Sequence, residues 1–201
     1  MTRRRGWLLA AGLVLAWLGL VRPWTVLPIE REQAAPFDAA AYVASIWESR
    51  VRPAIEANAV GVQVYRDAAS ADATVRPAAV GAEGVIVEVN TSSRVGVAFL
   101  DLNPADGRPD ATVQIGPVLR GTALRDALTF IQFSDFTNQI EFAAVAGALN
   151  DRVASDILGS IDFGTLVGRH VRVVGAASLD RAAAGRLPSI VPVRFVVERQ
   201  P

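Results

Sequence analysis

The sequence predicts an α+β protein: a small β-barrel or pseudo-barrel with a helical insertion, preceded by an N-terminal membrane-anchor or signal helix. Three observations carry this. Apolar residues recur at helical spacing near 43–55 and again at 142–157. Between 84 and 119, and again after 170, they alternate with a period of two. An apolar block, Gly6–Val21, stands by itself behind three arginines.

The N-terminal block reads as an address. Arg3, Arg4 and Arg5 form a positive n-region, GWLLAAGLVLAWLGLV an apolar h-region, and Arg22, Pro23 and Trp24 end it. Positive charge stays on the cytoplasmic side, which predicts an inner (cytoplasmic) membrane location with the N-terminus inside and the body periplasmic. No small-x-small pair follows the run, so an uncleaved signal anchor is favoured over a cleaved signal peptide. As a helix the run rises only about 24 Å, against a hydrocarbon core of about 30 Å. Arg22 can snorkel, and Trp7, Trp17 and Trp24 suit the interfaces, which helps a short span. The expected division is therefore 1–25 anchor or signal, 26–36 linker, and 37–201 a single α+β domain.

The body is read in order. Asp38 can N-cap a helix. Val43, Ile46, Trp47, Val51, Ala54 and Ile55 form one stripe of it, with Trp47 in the core, and Pro53 is expected to bend or end it. Residues 58–79 stay open between strand (VGVQVY) and helix or loop (RDAASADA). Residues 84–102 read as a hairpin turning at Asn90–Ser93. NPADGRPD at 103–110 is a loop, and Ala111–Leu119 a third strand. A helical subdomain spans about 120–162. Thr122 or Asp126 opens its first helix, and Ser134, Asp135 and Thr137 compete to cap the second. Phe142, Val145, Leu149, Val153 and Ile157 form the stripe of that second helix. Strands return at His170–Ala176 and Val191–Arg199, around a loop at 178–190. Helix, three strands, helical block, two strands is the order of an OB-like barrel with a helix between its third and fourth strands; a two-layer α+β sheet is the rival.

Composition excludes much chemistry. The 201 residues hold 20 arginines and 20 acids, with no lysine, no cysteine and one histidine, His170. That removes disulfides, thiolate nucleophiles, cysteine metal sites, a Walker lysine and any site needing two histidines. Without the four arginines at 3–5 and 22, the remainder carries 16 arginines and 20 acids, net −4, which does not suit a nucleic-acid binder. The stretch after Phe163 is locally basic, with Arg169, Arg172, Arg181, Arg186, Arg194 and Arg199 against two acids. It reads as a solvated strand face balancing the acidic part.

No motif for catalysis stands out. Asp101–Gly107 resembles a calcium loop only faintly, with Ala105 at a ligand position and the glycine one place late, and reads as a turn. His170 shares a strand face with Arg172 and reads as a surface histidine. There is no G-x-S-x-G. Neither cofactor nor metal is expected. The densest polar stretch supplies the ligand-binding candidates: Arg120, Thr122, Arg125, Asp126, Asp135, Asn138, Gln139 and Glu141. Interleaved with phenylalanines, they suit a sugar-sized pocket. The competing reading pairs Arg120 and Arg125 with Asp126 and Asp135 while Asn138 caps a helix.

These residues also carry a resemblance. The run IGPVLRGTALRDALTFIQFSDFTNQIEFAAVAGALNDRV, with GVIVEVNTSSRVGVAFLDLNPADG and FDAAAYVASIWESRVRPAI, resembles domain-of-unknown-function family 2291, predicted bacterial periplasmic lipoproteins, over residues 26–199. The resemblance implies an OB-like barrel with a small helical domain and brings no catalytic residues. Members are often associated with carbohydrate ABC-transporter gene sets, which implies an accessory role in sugar uptake. This chain departs from the lipoprotein label, having no cysteine to acylate, so residues 6–21 become the expected tether to the inner membrane.

The expectation is a membrane-tethered extracytoplasmic binding or accessory protein, not an enzyme, whose partners are the membrane, ABC-transporter components or a sugar, and not nucleic acid. A structural envelope scaffold without a small ligand is the alternative. A carbohydrate hydrolase using two carboxylates ranks below both.

Overall fold

The computed structural model describes residues 36–72, 74–179 and 187–198. The anchor or signal segment and the linker therefore lie outside the described residues. Among those described, no helix is long and apolar enough to cross a membrane.

The body opens with α1 (Ala39–Ile46), capped by the Asp38 carboxylate, which accepts from Ala41 N–H at 3.0 Å. A π turn (Trp47–Val51) and α2 (Arg52–Ala57) continue it. Pro53 was expected to end or bend this helix. It does not end it, because the chain widens just before it: Arg52 N–H reaches back five residues to the Trp47 carbonyl. Pro53 then falls in the first turn of α2, where an N–H is dispensable. The stripe read from the sequence is the buried one, with Val43, Trp47, Val51 and Ile55 each at most 1% exposed.

Residues 58–79, left open above, divide in two. Val60–Gly61 forms a short strand, β1, and Val62–Ala71 forms α3, which buries Val62, Tyr65 and Ala69. Arg66 Nη1 ties α3 to Asp110 at 2.7 Å.

Five strands then close a barrel: β2 (Ala78–Asn90), β3 (Val97–Leu102), β4 (Ala111–Gln114), β5 (His170–Leu179) and β6 (Pro188–Val197). The order is β2–β3–β4–β6–β5, closed by β5 pairing back onto β2; the β4–β6 pair is parallel and the others antiparallel, while β1 adds a short parallel pair outside β2. This is a closed barrel and not the two-layer sheet. One long strand makes closure possible. Along β2, residues 78–85 pair with β5 and residues 84–90 with β3, so the strand serves both sides of the seam.

Strand limits depart from the sequence reading. β2 begins at Ala78 rather than 84; its start, AAVGAE, lacks a clean alternation of large apolar residues, with Val80 and Ala82 in the barrel cluster and Ala79 in the helical one. β4 stops at Gln114 rather than 119. Beyond it Ile115, Gly116 and Val118 donate to the carbonyls of Gly96, Val95 and Arg94, while Pro117 has no N–H to give. β5 runs to Leu179 and β6 starts at Pro188, so the pair is longer than 170–176 and 191–199. The expected loop at 178–190 shrinks accordingly, and residues 180–186 lie outside the described residues.

Two apolar clusters hold these parts together. Inside the barrel, Ile86, Leu100, Val113, Val171, Val173 and Ile190 meet. Against one end of it, α1, the π turn and the helical insertion pack Trp47, Leu124, Val145, Leu149 and Val153 onto Val191 and Val193. The basic stretch after Phe163 does balance the acidic part where it is described: Arg194 pairs with Glu56 at 2.8 Å and Arg172 with Glu83 at 3.0 Å. The Asp101–Gly107 segment is a turn organised from within, since the buried Asp101 carboxylate accepts from Asp106 and Gly107 N–H at 3.3 and 2.7 Å.

Candidate functional site

The connection between β4 and β5 carries α4 (Ala123–Asp126) and α5 (Gln139–Val153) and holds all eight candidate residues. How they are held decides what they can do.

Gln114, buried at the end of β4, behaves like a neighbouring strand. Its Oε1 accepts from Arg120 N–H at 2.7 Å and its Nε2 donates to the Arg120 carbonyl at 3.2 Å. That fixes where the insertion begins, while the Arg120 side chain stays exposed. Thr122 precedes α4 without capping it through its side chain; its hydroxyl donates instead to Asp126 Oδ2 at 2.6 Å. Arg125 donates to Asp126 Oδ1 through Nε and Nη2 at 2.9 and 2.7 Å, and to the Phe142 carbonyl through Nη1 at 3.1 Å. Its guanidinium lies 3.8 Å over the Phe142 ring, a stacked cation held in one orientation.

The second helix is capped one residue later than Thr137. Asn138 Oδ1 accepts from Ile140 and Glu141 N–H at 2.9 and 3.0 Å, and Glu141 Oε2 reaches back to Thr137 N–H at 3.0 Å. Asp135 caps a separate 3-10 turn (Phe133–Asp135), accepting from Gln132 N–H at 3.0 Å. Ser134, Asp135 and Thr137 lose the competition for α5 because the intervening 3-10 turn consumes Asp135 first. Gln139 is exposed. Replacing Asn138 by alanine removes both acceptor bonds and is expected to cost about 1 kcal/mol, read as a lowered thermal midpoint.

A cleft of about 750 Å³ opens beside this network, lined by Arg76, Pro77, Asp126, Leu128, Thr129, Ile131, Gln132, Phe133 and Phe142. Of the eight candidates only Asp126 lines it. The carboxylate has three hydrogen bonds and, with about four lone-pair sites, keeps acceptor capacity. The other liners were not singled out. Thr129, Gln132, Phe133 and Phe142 sit within or beside the interleaved stretch, so the pattern marked the region and not the residues. Arg76 comes from the approach to β2, and nothing in the sequence connects it to residue 126. Phe133 is 50% exposed and packs edge-on to Phe142 with centroids 5.7 Å apart, presenting an aromatic face at the cleft. A second, mainly apolar hollow of about 560 Å³ lies between the 91–96 turn, Ile115–Pro117 and the end of the insertion at 154–163.

A closed five-stranded barrel with this order, a parallel pair between its third and fifth strands, and a helical insertion between the third and fourth define the class: an OB-fold domain carrying a ligand-sized cleft on its insertion. The chain belongs to the family described as predicted periplasmic lipoprotein (DUF2291), whose model matches residues 11–195. It is similar to the crystal structure of an OB-fold protein from Thermotoga maritima, with 16% identity, a TM-score of 0.62, and coverage of 81% of this chain and 99% of that one. That likeness concerns the fold. No curated protein matches the chain. The family description supports an extracytoplasmic location with a membrane anchor.

Proposed function

We propose that the protein is an extracytoplasmic binding or accessory module, tethered to the inner membrane through residues 6–21, that holds a sugar-sized polar ligand in the cleft beside Asp126. The composition of that cleft carries the reading. Asp126, Thr129, Gln132 and Arg76 offer acceptors and donors to hydroxyls, and the Phe133 ring offers a face to the ring C–H groups. A role beside a carbohydrate ABC transporter accords with the family resemblance. Binding is favoured over catalysis because Asp126 is the one carboxylate among the lining residues, whereas glycoside hydrolysis employs a pair.

One observation favours the scaffold reading. Thr122, Arg125, Asp135, Asn138 and Glu141 spend their polar groups on one another and on the backbone, as a structural network does.

Thermal unfolding of the full chain in detergent, against monosaccharides, pentoses and sugar acids, separates the two. At a ligand concentration of 100 times Kd the stabilisation is about 2.7 kcal/mol, which is a rise of roughly 5–11 °C for a domain of this size. The rise is expected to saturate and to disappear in Gln132→Ala and Phe133→Ala, both exposed side chains whose loss spares the core. A flat response across the panel favours the scaffold.

A further inference from the structure

One part of the barrel surface gathers groups that the sequence keeps far apart. Glu83 lies on β2, His170 opens β5, and Glu198 follows β6, where its N–H donates to the His170 carbonyl at 2.9 Å. One ligand atom from each of the three lies within 4.8 Å of the others.

The imidazole is oriented. Its Nε2 stands 3.3 Å from Asn103 Oδ1, an oxygen that can only accept. In the tautomer with the proton on Nε2, that contact is a donated hydrogen bond and Nδ1 carries a bare lone pair. Nδ1 is buried and makes no hydrogen bond, although Glu198 Oε2 stands 3.4 Å away. In that tautomer the lone pair faces a carboxylate oxygen, an unfavourable contact that a cation between them relieves, whether a proton or a metal ion. Histidines that bind metal are commonly held in this way, with the second ring nitrogen donating to an outer oxygen.

We propose that Glu83, His170 Nδ1 and Glu198 form a binding site for a divalent cation of the zinc class. Two carboxylates and an imidazole are suitable donors, and the imidazole selects zinc over calcium or magnesium. Bonds of about 2.0–2.2 Å in a tetrahedron place donors about 3.4 Å apart; His170 Nδ1 and Glu198 Oε2 already stand 3.4 Å apart, and the other pairs need close in by at most about 1.4 Å. Glu83 is exposed and Glu198 half-buried, which leaves them room to do so.

Arg172 is the competitor. Its Nη2 bridges Glu83 Oε2 at 3.0 Å and Glu198 Oε1 at 3.2 Å. With a side chain 57% exposed, it can swing into solvent when an ion takes its place. The site thus has two occupants in exchange, a guanidinium and a metal ion.

The single histidine and the absence of cysteine make the test specific. Full-length protein without a polyhistidine tag, labelled with 15N-histidine and held in detergent, is titrated with ZnCl2. The His170 ring resonances are expected to shift saturably at one equivalent, with Nδ1 moving more than Nε2. Glu83→Gln and Glu198→Gln should each weaken binding about tenfold or more. Arg172→Gln should tighten it about tenfold, by removing a cation from beside the ligands. No shift up to about 1 mM zinc, an affinity too weak for a built site, overturns the proposal. So does a shift that both glutamine variants leave unchanged, since that marks a lone surface imidazole. Weaker binding in Arg172→Gln overturns the role given to the arginine.

Discussion

Gly84→Ala is expected to destabilise the protein by about 3 kcal/mol, the upper end for overpacking, and to lower its thermal midpoint by roughly 6–12 °C. Gly84 pairs with Leu102 of β3 on one side and Val171 of β5 on the other, at the place where β2 changes partners. A β-carbon there would lie 1.9 Å from the Asp101 carbonyl oxygen and 2.9 Å from Leu102 Cα. Both obstacles are backbone, so no rotamer relieves them, and the β2–β3 ladder must part to admit the methyl group. Gly147→Ala is the matched control. It lies within α5 with nothing within 4 Å of the added carbon. There alanine is expected to raise stability by about 0.5–1 kcal/mol, because it restricts the unfolded chain and suits a helix. Chemical denaturation of the two variants checks the contrast, and equal effects would remove the close-approach argument.

Trp47→Ala is expected to cost about 3–5 kcal/mol, a loss of roughly 6–20 °C in the thermal midpoint. Trp47 is 1% exposed and belongs to the cluster in which the N-terminal helix, the insertion and the barrel meet. Removing it empties the junction of three parts, and the neighbours Val51, Leu124, Val145 and Leu149 are themselves fully buried and have little freedom to collapse into the space. Trp47→Phe keeps most of the volume and should recover more than half of the loss. Near-equal midpoints for the wild type and the alanine variant would show that the insertion is not held through this residue.

These two positions differ in how legible they were. Trp47 stands in a stripe at i, i+3, i+4 and i+8 spacing, and burial follows from helical geometry alone. Gly84 carries no such signature, because its role depends on which strand passes beside it, and β3 and β5 approach it from residues 102 and 171. The strand ends behave likewise. The sequence reading began β2 at 84, yet the earlier half of the strand pairs with the two-residue β1 and with β5, the latter almost a hundred residues away.

The candidate stretch shows the same limit at side-chain scale. Residues 120–141 stood out by composition, and Arg125 with Asp126 and Asn138 at the helix cap match the paired reading of them. Arg120 does not join Asp135 as that reading had it, since Asp135 turns back to Gln132. Arg76 enters the cleft wall only because β2 starts beside the insertion.

What the sequence by itself determined was the order of elements outside residues 58–79, the apolar stripes, the chemistry ruled out by the missing lysine and cysteine, and the family. All of these depend on residue identity or on spacing within about fifteen positions. Tertiary structure alone decided the closure of the barrel, the cleft wall, and the meeting of Glu83, His170 and Glu198. A histidine read as a lone surface residue gains one carboxylate from β2 and another from the residue that follows β6. Pairing between strands far apart in the chain, such as β2 with β5, has no connecting turn to fix its register, which is set by whole faces packing together.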